Sequence, residues 1–171
     1  MNKHLRLQRH LQEIILGILL MGFLCGCAGS SSTEDSSAKS FTANLGTATV
    51  LDINQKARLL LERYQFQIVR YESTTDGLYF ETEWKPRYPF DDEIGQGIEE
   101  TRTRIIIQAT PRTRSAMASD LNTVRMEAEN QVRLKNAVDW RYAEMSKMLR
   151  AYLRKFADDL STEFRVGLRR Y

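Results

Sequence analysis

LYFETEWK, residues 78–85, is the stretch on which the fold turns. Leu78, Phe80, Thr82 and Trp84 fall on one side, and Tyr79, Glu81, Glu83 and Lys85 on the other. Successive side chains of a β-strand point to opposite faces, so this period of two predicts a strand with one apolar and one wet face. Upstream, Thr74-Thr75-Asp76-Gly77 contains Asp-Gly, a strong hairpin signal, and residues 66–73 (FQIVRYES) form a β-rich run before it. Downstream, residues 101–109 (TRTRIIIQA) set Thr103, Ile105, Ile107 and Ala109 against Arg102, Arg104 and Gln108. Residues 122–132 alternate again, with Val124, Met126 and Ala128 inward and Arg125, Glu127 and Glu129 outward. Four such strands predict an antiparallel sheet covered on one face only.

Helices are expected on both sides of these strands. Asp52 is read as an N-cap with Gln55 three residues on, and Ile53, Ala57, Leu60, Leu61 and Tyr64 recur at helical spacing, predicting a helix over 52–64. Residues 47–51 read as a short leading strand. At the other end Asp139 reads as the N-cap. Tyr142, Met145, Leu149, Tyr152, Phe156, Leu160 and Phe164 form a stripe at intervals of three or four over 140–166. Gly167 reads as its stop. The expectation is an α+β single domain, an antiparallel sheet of about four strands with two helices packed on one face, over 45–171.

The first 27 residues carry a different message. Lys3, Arg6 and Arg9 precede the apolar run of residues 14–24 (IILGILLMGFL), the basic head and short apolar core of a secretory signal. From Ile14 to Ala28 the run is too short for a membrane span, which needs about 20 residues. It ends in Leu24-Cys25-Gly26-Cys27. This tetrad resembles the bacterial lipobox, where Leu, a small residue and Gly precede the Cys that is acylated. The resemblance implies a type II signal peptidase cleaving between Gly26 and Cys27. It also implies Cys27 as the lipidated residue, carrying a covalent diacylglyceryl group and an N-acyl chain, and no other cofactor. Residues 1–26 are then the signal peptide. Residues 27–44 are the lipidated Cys and a flexible tether, rich in Ser and poor in apolar side chains. Two or more acyl chains hold a protein stably on a bilayer. Ala28 stands where an Asp would signal retention, so the same resemblance implies an outer-membrane anchor facing the periplasm. The element order of 45–171 is similar to the helix-grip domains of the third lipoprotein of the β-barrel assembly machinery. It is also similar to the sheet-plus-two-helices domain of the lipopolysaccharide-assembly lipoprotein. Ala-Gly-Ser after Cys27 departs from the Cys-Gly-aromatic start of the latter, and the likeness concerns fold alone.

Composition narrows the chemistry. Both histidines, His4 and His10, and both cysteines, Cys25 and Cys27, lie in this leader. The cleaved chain would hold no histidine and one cysteine, which excludes histidine bases, Cys–His nucleophiles and zinc sites built on them. The net charge of +3 falls to about +1 after residue 26, too weak a basic footprint for nucleic-acid binding. No phosphate-binding glycine loop or nucleophile elbow is present.

Residues 86–100 (PRYPFDDEIGQGIEE) make a long connection, a length usual in functional loops. Tyr88 and Phe90 beside two prolines, followed by Asp91, Asp92 and Glu93, are the candidate partner-binding residues. The spaced acids of an EF-hand are missing, so no metal is expected. The outward Glu and Arg residues of the strands read as a solvated ladder of cross-strand pairs. The expected function is a lipid-anchored, non-catalytic binding or scaffold module in a membrane or cell-wall assembly complex, with an envelope protein as partner. One alternative is a carrier holding a lipid or other apolar ligand between sheet and helices. A cavity there would favour it, and a close-packed Trp84, Phe80, Ile105, Met126 and Leu149 core would oppose it. A second is a carboxylate-dependent hydrolase, which needs two converging acids such as Glu81 and Glu83.

Overall fold

The computed structural model describes residues 40–112 and 121–168. The leader, with Gly26 and Cys27, lies outside these residues, as do residues 27–39 of the expected tether.

The first described strand, β1 (Ser40–Thr49), is longer than expected and starts inside the run read as tether. Its alternation is cryptic because a bulge between Asn44 and Gly46 shifts the parity, so the buried residues are Phe41, Leu45 and Ala48. Thr49 then starts a helical segment, residues 50–63, called α1. It comprises Val50–Asp52, a π-helical stretch Ile53–Ala57, and Arg58–Arg63. The cap is Thr49 and not Asp52: the Thr49 hydroxyl accepts from the Asp52 amide (3.1 Å) and donates to its carboxylate (2.8 Å). The helix ends where Gln65 turns left-handed (φ 58°) and the Phe66 amide reaches back to the Leu61 carbonyl (2.8 Å), a Schellman closure that drives Phe66 into the core.

Six more strands follow: β2 (Ile68–Thr74), β3 (Gly77–Thr82), β4 (Lys85–Arg87), β5 (Ile98–Pro111), β6 (Leu121–Leu134) and β7 (Arg141–Tyr142). A one-turn helix α2 (Asp91–Ile94) precedes β5, and the long helix α3 (Lys147–Leu168) ends the described chain. The sheet has seven strands, with the path β1-β6-β5-β3-β2; β4 also pairs with β5, and β7 with β6. Every pairing is antiparallel. β1 and β2 are the two edges, so α1 carries the chain across the sheet from one edge to the other.

The expected four strands and two helices therefore understate the fold: the described residues form seven strands and three helical segments. Two misreadings have physical causes. LYFETEWK is not one strand. At Thr82 the side-chain hydroxyl takes the Ile105 amide (2.9 Å) and the ladder breaks. The chain bends through Glu83, rejoins β5 further along as β4, and Trp84 turns to the outer face. Residues 140–142 are likewise not helix but lead into and form β7, and α3 starts at Lys147 and runs through Gly167. At the β2–β3 hairpin only glycine fits: Gly77 has φ 139°, and a Cβ there would sit 2.0 Å from the Ala109 carbonyl oxygen.

Between sheet and helices lies one apolar cluster. Phe80, Ile105, Ile107 and Met126 come from the sheet, Ile53 and Leu61 from α1, and Leu149, Leu153, Phe156, Leu160 and Phe164 from α3. Rings of Tyr64 and Phe66 pack edge-on against Phe156 at 4.8 and 6.0 Å. Trp84, expected in this core, is absent from it.

Candidate functional site

The connection between β4 and β5 is ordered from within. Arg87, the last residue of β4, is the single cation of an acidic segment. Its guanidinium forks onto Glu93, Nη1 and Nη2 each 2.6 Å from a carboxylate oxygen. Glu93 stands in the third position of α2, and from there its carboxylate also accepts the Phe90 amide (2.8 Å). Glu93 is only 2% exposed and the Arg87 side chain 12%. Charges so buried are costly unless paired and hydrogen-bonded. Arg87 therefore makes further bonds, to Asn130 Oδ1 (3.2 Å), Thr103 Oγ1 (3.3 Å) and the Tyr88 carbonyl (3.2 Å). Thr101 Oγ1 in turn donates to the Arg87 carbonyl (2.7 Å). The threonines at the lower end of β5 serve this network, which explains why hydroxyls occupy inward positions there.

The five loop residues named from sequence divide accordingly. Phe90 is half-buried, covered by the Arg87 guanidinium (4.8 Å) and packed beside Tyr152. Glu93 is consumed by Arg87. Asp92 Oδ2 accepts the Met148 amide (3.1 Å) and so ties the loop to the start of α3. Asp91 is exposed, and Tyr88 stands 94% exposed. Ile94 and Met148, also exposed, accompany it at this end of the domain. The structure thus brings Phe90, Asp92 and Glu93 together as a frame and leaves Tyr88 and Asp91 facing solvent. Among the described residues no group of acids could hold a metal ion.

The outer sheet face carries a second constellation. Arg104 reaches Glu81 and Glu129, each at 2.6 Å. Arg102 bonds the Gln131 side-chain oxygen (2.8 Å) and lies between two indoles, 5.1 Å from Trp84 and 4.3 Å from Trp140. Arg104 also stacks on Trp84 and Arg133 on Trp140, so guanidinium and indole alternate, and Arg133 pairs with Glu100. Trp84 meets Tyr142 of β7 at 6.2 Å. Of the cross-strand ladder expected from sequence, the pairs of Arg104 with Glu81 and Glu129 form, whereas Arg102 bonds Gln131; the two tryptophans depart from expectation, one read as core and the other as helix. Glu81 and Glu83 are not a couple. Glu81 sits in the ladder with Arg104 and accepts from the Tyr79 hydroxyl (3.0 Å). Glu83 falls in the break after β3, where its amide bonds the Gln67 carbonyl.

Several side chains where α1, α3 and β4 meet have shifted ionisation. Burial first, then the hydrogen bond to Asp159 (2.6 Å), raises the Tyr64 phenol. That hydrogen bond, followed by Lys155, holds the Asp159 carboxyl below its ordinary value. Burial lowers the Lys85 ammonium, whose Nζ donates to the Tyr64 carbonyl (2.6 Å). These contacts join α1, α3 and β4. Among the described residues no helix is long and apolar enough to cross a membrane. Comparison of the chain with known protein families and with curated proteins finds no match in either.

Proposed function

We propose that this chain is a lipid-anchored envelope lipoprotein whose domain is a non-catalytic binding module, with the 86–100 loop as its contact surface for an envelope protein. One observation carries the reading: Tyr88, 94% exposed, projects from a loop fixed by the buried Arg87–Glu93 fork. A large aromatic normally sheds exposure on folding. One held outward on a rigid frame contacts a partner with little ordering entropy left to lose. An anchor at Cys27 would confine the domain to a membrane surface and raise its effective concentration for a local partner.

Two features argue against the alternatives. The space that a carried lipid would occupy is filled by Phe80, Ile105, Met126 and Leu149, all at 0% exposure. The acids considered for hydrolysis, Glu81 and Glu83, do not converge.

The test is crosslinking and capture from membranes with wild-type chain, Tyr88→Ala and Ile94→Ser. Phe90 is left intact because it supports the loop. Loss of one crosslinked partner in both variants is the expected result, and recovery of every partner in equal yield would remove the loop from the account. For the anchor, Cys27→Ala should abolish acyl labelling and release the chain from the membrane fraction. Labelling that persists in this variant rules out Cys27.

A further inference from the structure

Among the described residues β2 ends the sheet with one side unpaired. It is seven residues long, contains no proline and is exposed over nearly its whole length. Such an edge is a template for another strand, and proteins use charge to decide what pairs there. The charges of β2 have a particular arrangement: Arg70 and Glu72 flank Tyr71 and lie on the outer face, paired with each other at 2.6 Å. Tyr71 lies on the helix-covered face, 38% exposed, its ring against Phe80 (4.9 Å) and under the Arg58 guanidinium (4.6 Å).

We propose that β2 pairs edge to edge, antiparallel and centred on Tyr71, with β2 of a second copy of this chain. Two-fold symmetry makes such an interface self-complementary. In this register Arg70 faces the partner's Glu72, Glu72 faces the partner's Arg70, and the two Tyr71 rings meet on the inner face. Centring on Arg70 or on Glu72 instead places like charges directly opposite, which is destabilising. Arg70 also lies 4.0 Å from Glu81 and over the Tyr79 ring, neighbours that pairing at the free edge leaves in place, and its contact with Glu72 is solvent-exposed, so exchanging that one for two interchain contacts sacrifices little. The bulge at Val69 bends the strand beyond these residues and confines regular pairing to its middle. The cleft of about 600 Å³ beside the start of β2, lined by Arg58, Glu62, Phe66 and Ile68, lies where the register brings the partner's 74–77 turn. The pairing does not depend on the loop surface proposed above and can fail without it.

The experiment measures the mass of the full chain in detergent micelles by sedimentation equilibrium over a concentration series. Wild type is expected to dimerise. Arg70→Glu and Glu72→Arg should each weaken the dimer at least about tenfold by putting like charges opposite. Mixing the two single variants should restore association, because every interchain pair is then opposite in sign. The mixture controls for misfolding, since a damaged domain does not recover by meeting another damaged one. A monomeric wild type, or single variants that dimerise as well as wild type, overturns the proposal. So does a wild-type chain that recruits a different protein to this edge in place of its own copy.

Discussion

The Arg87–Glu93 fork and the Arg104 pairs with Glu129 and Glu81 have the same 2.6 Å contacts and different surroundings. Glu93 is 2% exposed beneath its loop, whereas the acids that hold Arg104 keep 17% and 22% of their side chains in water on the outer face. Distance alone would rank them equal. Solvent does not: a partly exposed pair is partly screened and can rehydrate the member left behind, while a buried pair, once formed, cannot lose one member without stranding the other. The fork orders a loop, and the wet ladder dresses a sheet that other contacts already define.

Breaking the fork should therefore have the largest effect. Arg87→Ala leaves Glu93 buried without a cation and is expected to cost ~3–5 kcal/mol in denaturant unfolding. Replacing both members by apolar side chains of similar volume should recover much of that loss, because no charge is then left stranded. If the single variant lost no more than the outer-face variants below, the contrast between the two sites would collapse. Next is the frame against the contact. Phe90→Ala removes a half-buried ring and should cost about 2 kcal/mol. Tyr88→Ala, two residues away, should stay within about 0.5 kcal/mol of wild type while losing the partner. The same unfolding curves, read beside the capture experiment, separate the two roles.

The wet ladder should respond less and respond to salt. Glu129→Gln is expected to cost ~0.2–1 kcal/mol at low ionic strength. High salt should shrink that difference in part by screening, yet leave the Arg87→Ala deficit nearly unchanged. Unfolding midpoints at two salt concentrations check both statements together.

How much of this was legible in the chain follows the same division between regular and irregular parts. β5 and β6 were readable because their inward residues alternate over many positions, and α3 because its stripe spans five turns. β1 was not, since SFTANLGTAT carries its buried side chains among small polar ones. The break after Thr82 is invisible to periodicity: Trp84 keeps the right parity while the backbone beneath it has turned. Trp140 and Tyr142 fit a helical stripe by spacing and were pulled into the sheet by pairing with β6, a long-range contact that local pattern does not encode. At the loop, Tyr88 and Phe90 stood out by type, but their opposite roles depend on Arg87. A lone cation amid acids was the available sign of the fork. Asn130, which completes it from β6, carried no sign at all.

The smallest expected effect is a pH dependence at the α1–α3 junction, which resembles neither the fork nor the ladder. Asp159 is held below its ordinary value of 3.8, first by the Tyr64 hydroxyl and then by Lys155. A carboxyl whose folded-state value is depressed contributes stability above its unfolded value and loses it as pH falls through the lower folded one. The contribution should be fully present at neutral pH and disappear on acidification below about 3.8, where the neutral acid no longer accepts as a charged partner. The measurement is a difference: denaturant unfolding of wild type and Asp159→Asn at a series of pH values. The gap between them should be constant from neutral down to mildly acidic pH and close below that. A gap that persisted unchanged into strong acid would mean the Tyr64–Asp159 bond contributes as a neutral hydrogen bond, and the junction would then belong with the buried network and not with the charged pairs.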